Sequence, residues 1–257
     1  DIVGIVEVMD NNGQAEGPED ADASESYERL IEEISEQGGP DYEYANIDPE
    51  YNQDGGAPHG NIRVGFLYNS ERVSLMSGEH GTATESTDYE DGQLTLNPGR
   101  IAPEDEAFAD TRKPLAAQFN FNGESVVVAA THFNSKSGDD GAFGKNQPPV
   151  KGSEPQRHEL ASIVNEFVKD VKEDNPDENV VVLGDMNDFE FSETLDILKG
   201  DELTNKMMDV PEEERYTYLY QGNSQVLDHV LVSDNLADVT ETDVLHVNAD
   251  FTDMHGR

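Results

Sequence analysis

The chain has 257 residues, of which 56 are acidic and 16 basic, for a formal net charge of −40. It contains no cysteine, which excludes disulfides and thiolate metal sites. It also has no stretch long and apolar enough to span a membrane as a helix.

Although only 35% of the residues are apolar, they come in clean runs, which argues for a folded chain over a disordered acidic one. Residues 2–8 have a strand pattern that closes in polar Met9, Asp10, Asn11 and Asn12. Residues 13–24 are small and acidic, a loop. Ser26 opens a helix with Tyr27, Leu30, Ile31 and Ile34 along one face, stopped by Gly38-Gly-Pro40. Residues 41–60, rich in Asp, Gly and Pro, read as loop. A strand follows over 63–68, and a turn at Asn69 and Ser70 leads into Val73. Residues 77–110 read as a polar, irregular excursion around Leu94-Thr-Leu96. Residues 115–119 and 126–130 make a hairpin about Asn122-Gly123.

A second polar loop spans 133–152. The next helix carries Leu160, Ile163, Val164, Phe167 and Val171 at helical spacing and ends at Asn175-Pro176. Val180-Val-Val-Leu183 then runs into Gly184, Asp185, Met186 and Asn187. Four apolar residues closed by Gly read as a strand buried on both faces. Ser192 caps a short helix with Leu195 and Leu198, and the last strand spans 226–232. There is no internal repeat and no linker. The expected fold class is α/β of the α+β kind, with largely antiparallel sheets and helices outside, as one domain over 1–257.

Four strand patterns carry a chemical group in or just after the apolar run: Glu7, His132, Asp185 with Asn187, and Asp228 with His229. If these strands lie side by side, the groups converge on one rim. Asp185 and Asn187, two apart at a strand end, point the same way; alone, they could equally be an Asx-turn. Oxygen donors of this kind suit a hard cation such as Mg²⁺ or Mn²⁺, and a histidine suits a phosphate oxygen or a developing oxyanion. Singly, Glu7 could pair with an arginine, His132 could be a core histidine bonded to backbone, and Asp228 could brace a loop. His229 alternates away from Asp228 and reads as structural.

In chain order, Ile5-Val-Glu-Val8, Thr131-His-Phe-Asn-Ser-Lys136, Gly184-Asp-Met-Asn-Asp188 and Leu227-Asp-His-Val-Leu-Val-Ser233 resemble the endonuclease/exonuclease/phosphatase superfamily, the deoxyribonuclease-I and exonuclease III fold. Arg63-Val-Gly-Phe-Leu-Tyr68 and Thr111-Arg-Lys-Pro-Leu115 resemble its secreted bacterial and archaeal nuclease branch. The resemblance covers nearly the whole chain. It implies a two-layer β-sandwich flanked by helices and a phosphodiesterase site using Mg²⁺, with Mn²⁺ or Ca²⁺ as further options. On this resemblance Glu7 holds the metal, and His132 contacts the scissile phosphate. Asp185 orients or deprotonates the attacking water, Asn187 supports the phosphate, Asp228 buttresses a histidine near the C-terminus, and Arg112 contacts phosphate.

Two features depart from the pattern. The family's Asn-bearing first strand would lie upstream of Asp1, and its final Ser-Asp-His box is missing before Arg257; Asp253-Met-His255 does not replace it. The chain therefore reads as a fragment truncated at both ends. Where relatives have an acid just before the strand at residue 63, this chain has Asn61, which leaves His132 without an assigned support.

The expected partner is a nucleic acid, DNA favoured over RNA, cleaved by a monomer with no membrane role. The negative charge opposes a polyanion, but between 112 and 157 the balance is six bases (Arg112, Lys113, Lys136, Lys145, Lys151, Arg157) against four acids (Glu124, Asp139, Asp140, Glu154), or +2. Acids spread along the whole chain resemble the composition of salt-loving microbes. Self-repulsion loosens such a chain in dilute buffer, and salt screens it, with a Debye length of about 3 Å at 1 M. The branch implies an extracellular location; a high-salt cytoplasm suits the same surface. Rival readings are a phosphomonoesterase or lipid phosphodiesterase of the same superfamily, and a non-catalytic cation-binding surface module.

Overall fold

The apolar runs become paired strands in a computed structural model, which describes residues 1–16, 19–141, 143–247 and 249. In chain order the elements are β1 (Ile2–Val8), α1 (Ser24–Glu36), β2 (Tyr42–Ala45), β3 (Arg63–Asn69), β4 (Val73–Leu75), β5 (Tyr89–Glu90), β6 (Gln93–Leu94), β7 (Gly99–Arg100), β8 (Leu115–Phe121), β9 (Glu124–His132), α2 (Glu154–Asp174), β10 (Asn179–Asp185), α3 (Glu193–Lys199), β11 (Leu203–Asn205), β12 (Tyr218–Tyr220), β13 (Asn223–Gln225), β14 (Asp228–Ser233) and α4 (Asp234–Ala237).

The larger sheet has the order β11-β14-β10-β9-β8-β4, with β7 also on β8; the smaller is β1-β3-β2. Its strands pair antiparallel except β9 with β10, which run parallel. A parallel neighbour needs a long crossover, and α2 supplies it. The β8–β9 hairpin closes on Asn122 (φ +54) and Gly123 (φ +88), the two left-handed residues a tight hairpin turn demands.

Alternation along each strand sorts residues between two layers of core. Val128 and Ala130, with Ala117 and Phe119 of β8, face the smaller sheet against its Val64 and Phe66. Phe66 and Phe119 meet edge to face at 5.7 Å. Val127, Ala129, Val180, Val182 and Leu231 face the other way, under Leu160, Ala161, Val164, Val168 and Val171 of α2. Both faces of the larger sheet are thus covered, which is why its central strands are apolar throughout. On the outer face of the smaller sheet α1 lays Tyr27 against Leu67, and Tyr27 stacks on Tyr44 at 4.7 Å. The two-layer arrangement with helices outside is the expected class.

Three details differ from the sequence reading. The loop expected over 41–60 contains β2, whose apolar face is made by tyrosines between acids; Tyr68 caps one of those acids by donating to Glu43 at 2.8 Å. The excursion over 77–110 holds three two-residue strands. Side-chain amides do much of the pairing there: Asn97 donates to the carbonyls of Met76 (2.8 Å) and Gln118 (2.9 Å) and accepts from the Gln118 N–H (2.9 Å). Such pairing satisfies buried backbone groups without an apolar signature. The last strand begins at Asp228 rather than 226.

Among the described residues no helix is long and apolar enough to cross a membrane. A cavity of about 620 Å³, lined by Ile2, Val73, Phe121, Val126 and Leu236 among others, includes none of the polar strand ends.

Candidate active site

Strands β9 and β10 end, and β14 begins, at the same level. In the register, Asp185 lies opposite His132 on its parallel neighbour and opposite Asp228 on its antiparallel one. The three residues form a row across the rim. Gly184 makes this possible: its φ is +135°, and a Cβ there would lie 2.0 Å from the Thr131 carbonyl oxygen. Only glycine fits so close to the next strand.

The two oxygens of Asp185 have different surroundings. Oδ1 accepts the Asn187 N–H at 2.8 Å, closing an Asx-turn with Asn187 at φ +50°. Oδ2 lies 3.6 Å from His132 Nε2, beyond a hydrogen bond. The Asn187 amide donates to the Phe133 carbonyl at 3.0 Å, and Arg112 Nη2 donates to the same oxygen at 2.8 Å. One carbonyl therefore fixes both a carboxamide and a guanidinium beside the row.

Burial pulls the His132 pKa down to about 3, helped by the charge of Arg112, so the imidazole is neutral. Its Nδ1 is buried with no hydrogen-bond partner among the described residues. Asn61 does not support it: the Asn61 amide donates to Asp10 at 2.6 Å and its oxygen accepts from the Asn52 N–H. Burial, then the neighbouring Asp228 charge, pushes Asp185 up to about 7; the Asn187 N–H, Arg112 and Glu7 modify it in turn. Burial also raises Asp228, opposed by the Thr217 hydroxyl, and lowers Arg112, opposed by Asp185, Glu7 and Asp54.

Of the four strands, only β9, β10 and β14 lie side by side. β1 pairs with β3 in the smaller sheet and packs across the sandwich on β9 and β10. Glu7 sits where the β1 register shifts, at φ +60°, and is exposed. It meets the rim from the opposite layer, close enough for its charge to act on Asp185 and Arg112.

The basic segment over 112–157 is also not what the local count implied. Lys113 pairs with Asp54 at 2.8 Å, Lys136 with Asp188 at 2.7 Å, Arg157 with Asp188 at 3.1 Å and Lys151 with Glu154 at 2.7 Å. Asp54 and Asp188 lie outside the counted window, so the count missed what neutralises those bases.

Asp188 is the residue that sequence reasoning passed over. Its buried carboxylate accepts from Lys136, from Arg157 and, at 2.7 Å, from Thr194, and its pKa falls to about 2 because these bonds outweigh burial. Arg157 spreads further, to the carbonyls of Asn134 and Ser135 and the Ser153 hydroxyl. Lys136 also donates to the Asn187 carbonyl. The hub ties the loop after β9, the turn after β10 and the starts of α2 and α3 together around Asn187. Its position directly after Gly-Asp-x-Asn is the one signal in the sequence. His229 faces away from the row, as expected, with Nε2 on the Asp188 carbonyl at 2.9 Å and Nδ1 against the Asn205 amide at 3.1 Å.

Among the described residues no group of three or more histidines and carboxylates forms a ready metal cage. A hard divalent ion does not need one, because it keeps several waters and takes one or two carboxylates. Asp185 and Glu7 both act on the Arg112 guanidinium, and Asp228 lies opposite Asp185. Burial is the main reason Asp185 rises to about 7, with the Asp228 and Glu7 charges adding to it, and these oxygen donors fit such an ion at Glu7. Asp253-Met-His255 lies outside the described residues.

A sandwich of two sheets with helices outside is the deoxyribonuclease-I-like fold. Solved structures with the same fold include D. rerio TDP2 complexed with single strand DNA product (15% identity, TM-score 0.50, 91% of this chain and 70% of that one). The endonuclease/exonuclease/phosphatase from Bacteroides vulgatus is similar at 14% identity and TM-score 0.51, over 91% of this chain and 73% of that one. The human Nocturnin catalytic domain with bound sulfate anion is similar at 13% identity and TM-score 0.50, over 91% and 86%. No curated protein matches the sequence. Residues 95–253 match the model of the endonuclease/exonuclease/phosphatase family, and the chain belongs to that family.

Proposed function

We propose that this rim hydrolyses a phosphodiester of nucleic acid, DNA in preference to RNA and internally rather than from an end. The observation that carries the reading is the row His132–Asp185–Asp228, with Asn187 and Arg112 fixed beside it by one carbonyl. Asp185, a half-buried carboxyl poised near neutrality, takes the proton of the attacking water. Asp228 works through Asp185, since its charge helps to hold that carboxyl high. The attacking oxygen enters in line with the departing ester oxygen, and charge grows on the nonbridging oxygens. Neutral His132, Asn187 and Arg112 supply N–H donors to those oxygens. Glu7 would hold Mg²⁺ or a similar ion; when bound, the ion acts as a Lewis acid that neutralises the developing charge.

The fold of D. rerio TDP2, solved with single strand DNA product, supports a nucleic-acid substrate. We take 1–257 as one monomeric domain that works in a saline compartment, extracellular or cytoplasmic, because its charge is −40. The test is degradation of supercoiled plasmid in about 2 M KCl, a level chosen for screening, with Mg²⁺, with EDTA and with Asp185→Ala. Nicking that needs both the ion and Asp185 supports an endonuclease. Intact DNA and RNA with hydrolysis of small phosphate monoesters would move the assignment to a phosphatase, and inertness to all of them to a binding module. Mg²⁺ should also raise the thermal midpoint of the wild type more than that of Glu7→Gln.

A further inference from the structure

We propose that Phe189 and Phe191 form a stacking platform for a base of the nucleic acid strand, beside the rim; this rests on the nuclease reading above. The two rings stack at 5.3 Å between centroids with 19° between planes. Phe191 is 76% exposed, in a chain that is only 7% aromatic. A phenylalanine ring carries a large apolar area, and here that area faces water next to the site.

The platform is attached to the rim through Lys136. Phe189 follows Asp188, and its ring centroid lies 4.6 Å from the Lys136 ammonium, within cation–π reach. That same ammonium bonds Asp188 and the Asn187 carbonyl. The hub that fixes Asn187 therefore fixes the inner ring as well. Phe191 is four residues past Asn187, at most about 14 Å along an extended chain. A strand with one phosphate at the row passes within reach of it.

The electrostatics explain why stacking is needed. Four of the six bases in the segment around His132 are occupied by carboxylates of the protein itself. Few cations remain to grip phosphates on a chain of net charge −40, and a grip made of ion pairs weakens steeply with salt. Stacking uses the π-face that every base has, contributes about 1–3 kcal/mol per base, and releases no counterions.

The test is binding of a fluorescent single-stranded oligothymidylate to the full chain, followed by anisotropy in about 2 M KCl with EDTA, a salt level chosen for screening. Phe191→Ala should weaken binding by roughly five- to 150-fold, the stacking contribution converted at tenfold per 1.36 kcal/mol. Phe191→Leu, apolar but not aromatic, should lose most of the same factor, and Phe191→Trp should retain affinity. An abasic oligomer of the same length should bind wild type and Phe191→Ala alike. A wild type that does not bind, a Phe191→Ala within twofold of wild type, or a Phe191→Leu equal to wild type would each overturn the platform. Hydrolysis of bis(p-nitrophenyl) phosphate by the wild type with Mg²⁺ reports separately on the nuclease reading. Hydrolysis without a binding defect sinks the platform alone, and a binding defect without hydrolysis sinks the catalytic assignment alone.

Discussion

Asp185 and His132 are direct register partners on parallel strands, with Oδ2 and Nε2 3.6 Å apart, yet they do not form an ion pair. Burial keeps the imidazole neutral and lifts the carboxyl to about 7. Two groups that would attract as ions are both held towards their uncharged forms, which leaves the carboxyl able to accept a proton near neutrality.

Asp185→Asn should reduce phosphodiester hydrolysis by roughly 10²- to 10⁴-fold, the usual range for loss of a general base. Stability should move the other way. A carboxyl whose folded pKa is about 7, against 3.8 for its ordinary value, is bound to its proton more firmly in the native state. Its contribution is therefore favourable below pH 3.8 and is lost as pH rises through 7. Denaturant titrations at pH 5 and pH 8 should show the wild type losing stability relative to Asp185→Asn at the higher pH. An equal loss in both proteins would contradict this.

His229 gives a pH dependence of opposite sign. It is buried, it is bonded through both ring nitrogens, and its pKa is pulled to about 4 by burial. The unfolded chain takes up a proton near 6.5 that the native state refuses. Stability from this residue is full above pH 6.5 and falls as pH drops towards 4, by a total on the order of 3 kcal/mol. His229→Gln should flatten the stability curve over that interval, measured as the difference from wild type at each pH so that other groups cancel.

Gly184→Ala should leave little folded protein. The φ of +135° is closed to a side chain, and the new Cβ would fall 2.0 Å from the backbone oxygen of Thr131, which cannot swing aside as a side chain could. Circular dichroism and limited proteolysis would report the loss. A native-like variant would mean that β9 and β10 can separate here at low energetic cost.

The thermal midpoint should rise steeply from dilute buffer to about 2 M KCl, because a charge of −40 repels itself and salt screens it. Titration with KCl at constant pH, followed by near-UV dichroism, measures this. A midpoint independent of salt would remove the argument for a saline compartment.

The strands that build the rim were legible because each is an apolar run bounded by a polar group: β9 and β10 end in His132 and Asp185, and β14 starts at Asp228. Their alignment was expected and is what the register shows. Glu7 was legible as a strand residue but not as a residue of the other layer, since sheet membership depends on pairing with β3, far away in the chain. The excursion over 77–110 was opaque because Asn97 and Gln118 pair it through side-chain amides, which have no period. Asp188 was hidden for a related reason: its partners Lys136, Arg157 and Thr194 come from three separate segments. The same distance effect undid the local charge count around His132.

Because the row is a single rung across three strands, its chemistry is encoded in parity. One residue inserted within β10 ahead of Asp185 would turn that carboxylate to the α2 side and bring a neighbour to the rim, and a compensating deletion nearby would restore it. The loop residues 143–150, which lie off the ladder, have no such arithmetic to respect. Length variation in this chain should therefore be tolerated there and refused in even the shortest stretch between Asn179 and Asp185, whatever the inserted side chain.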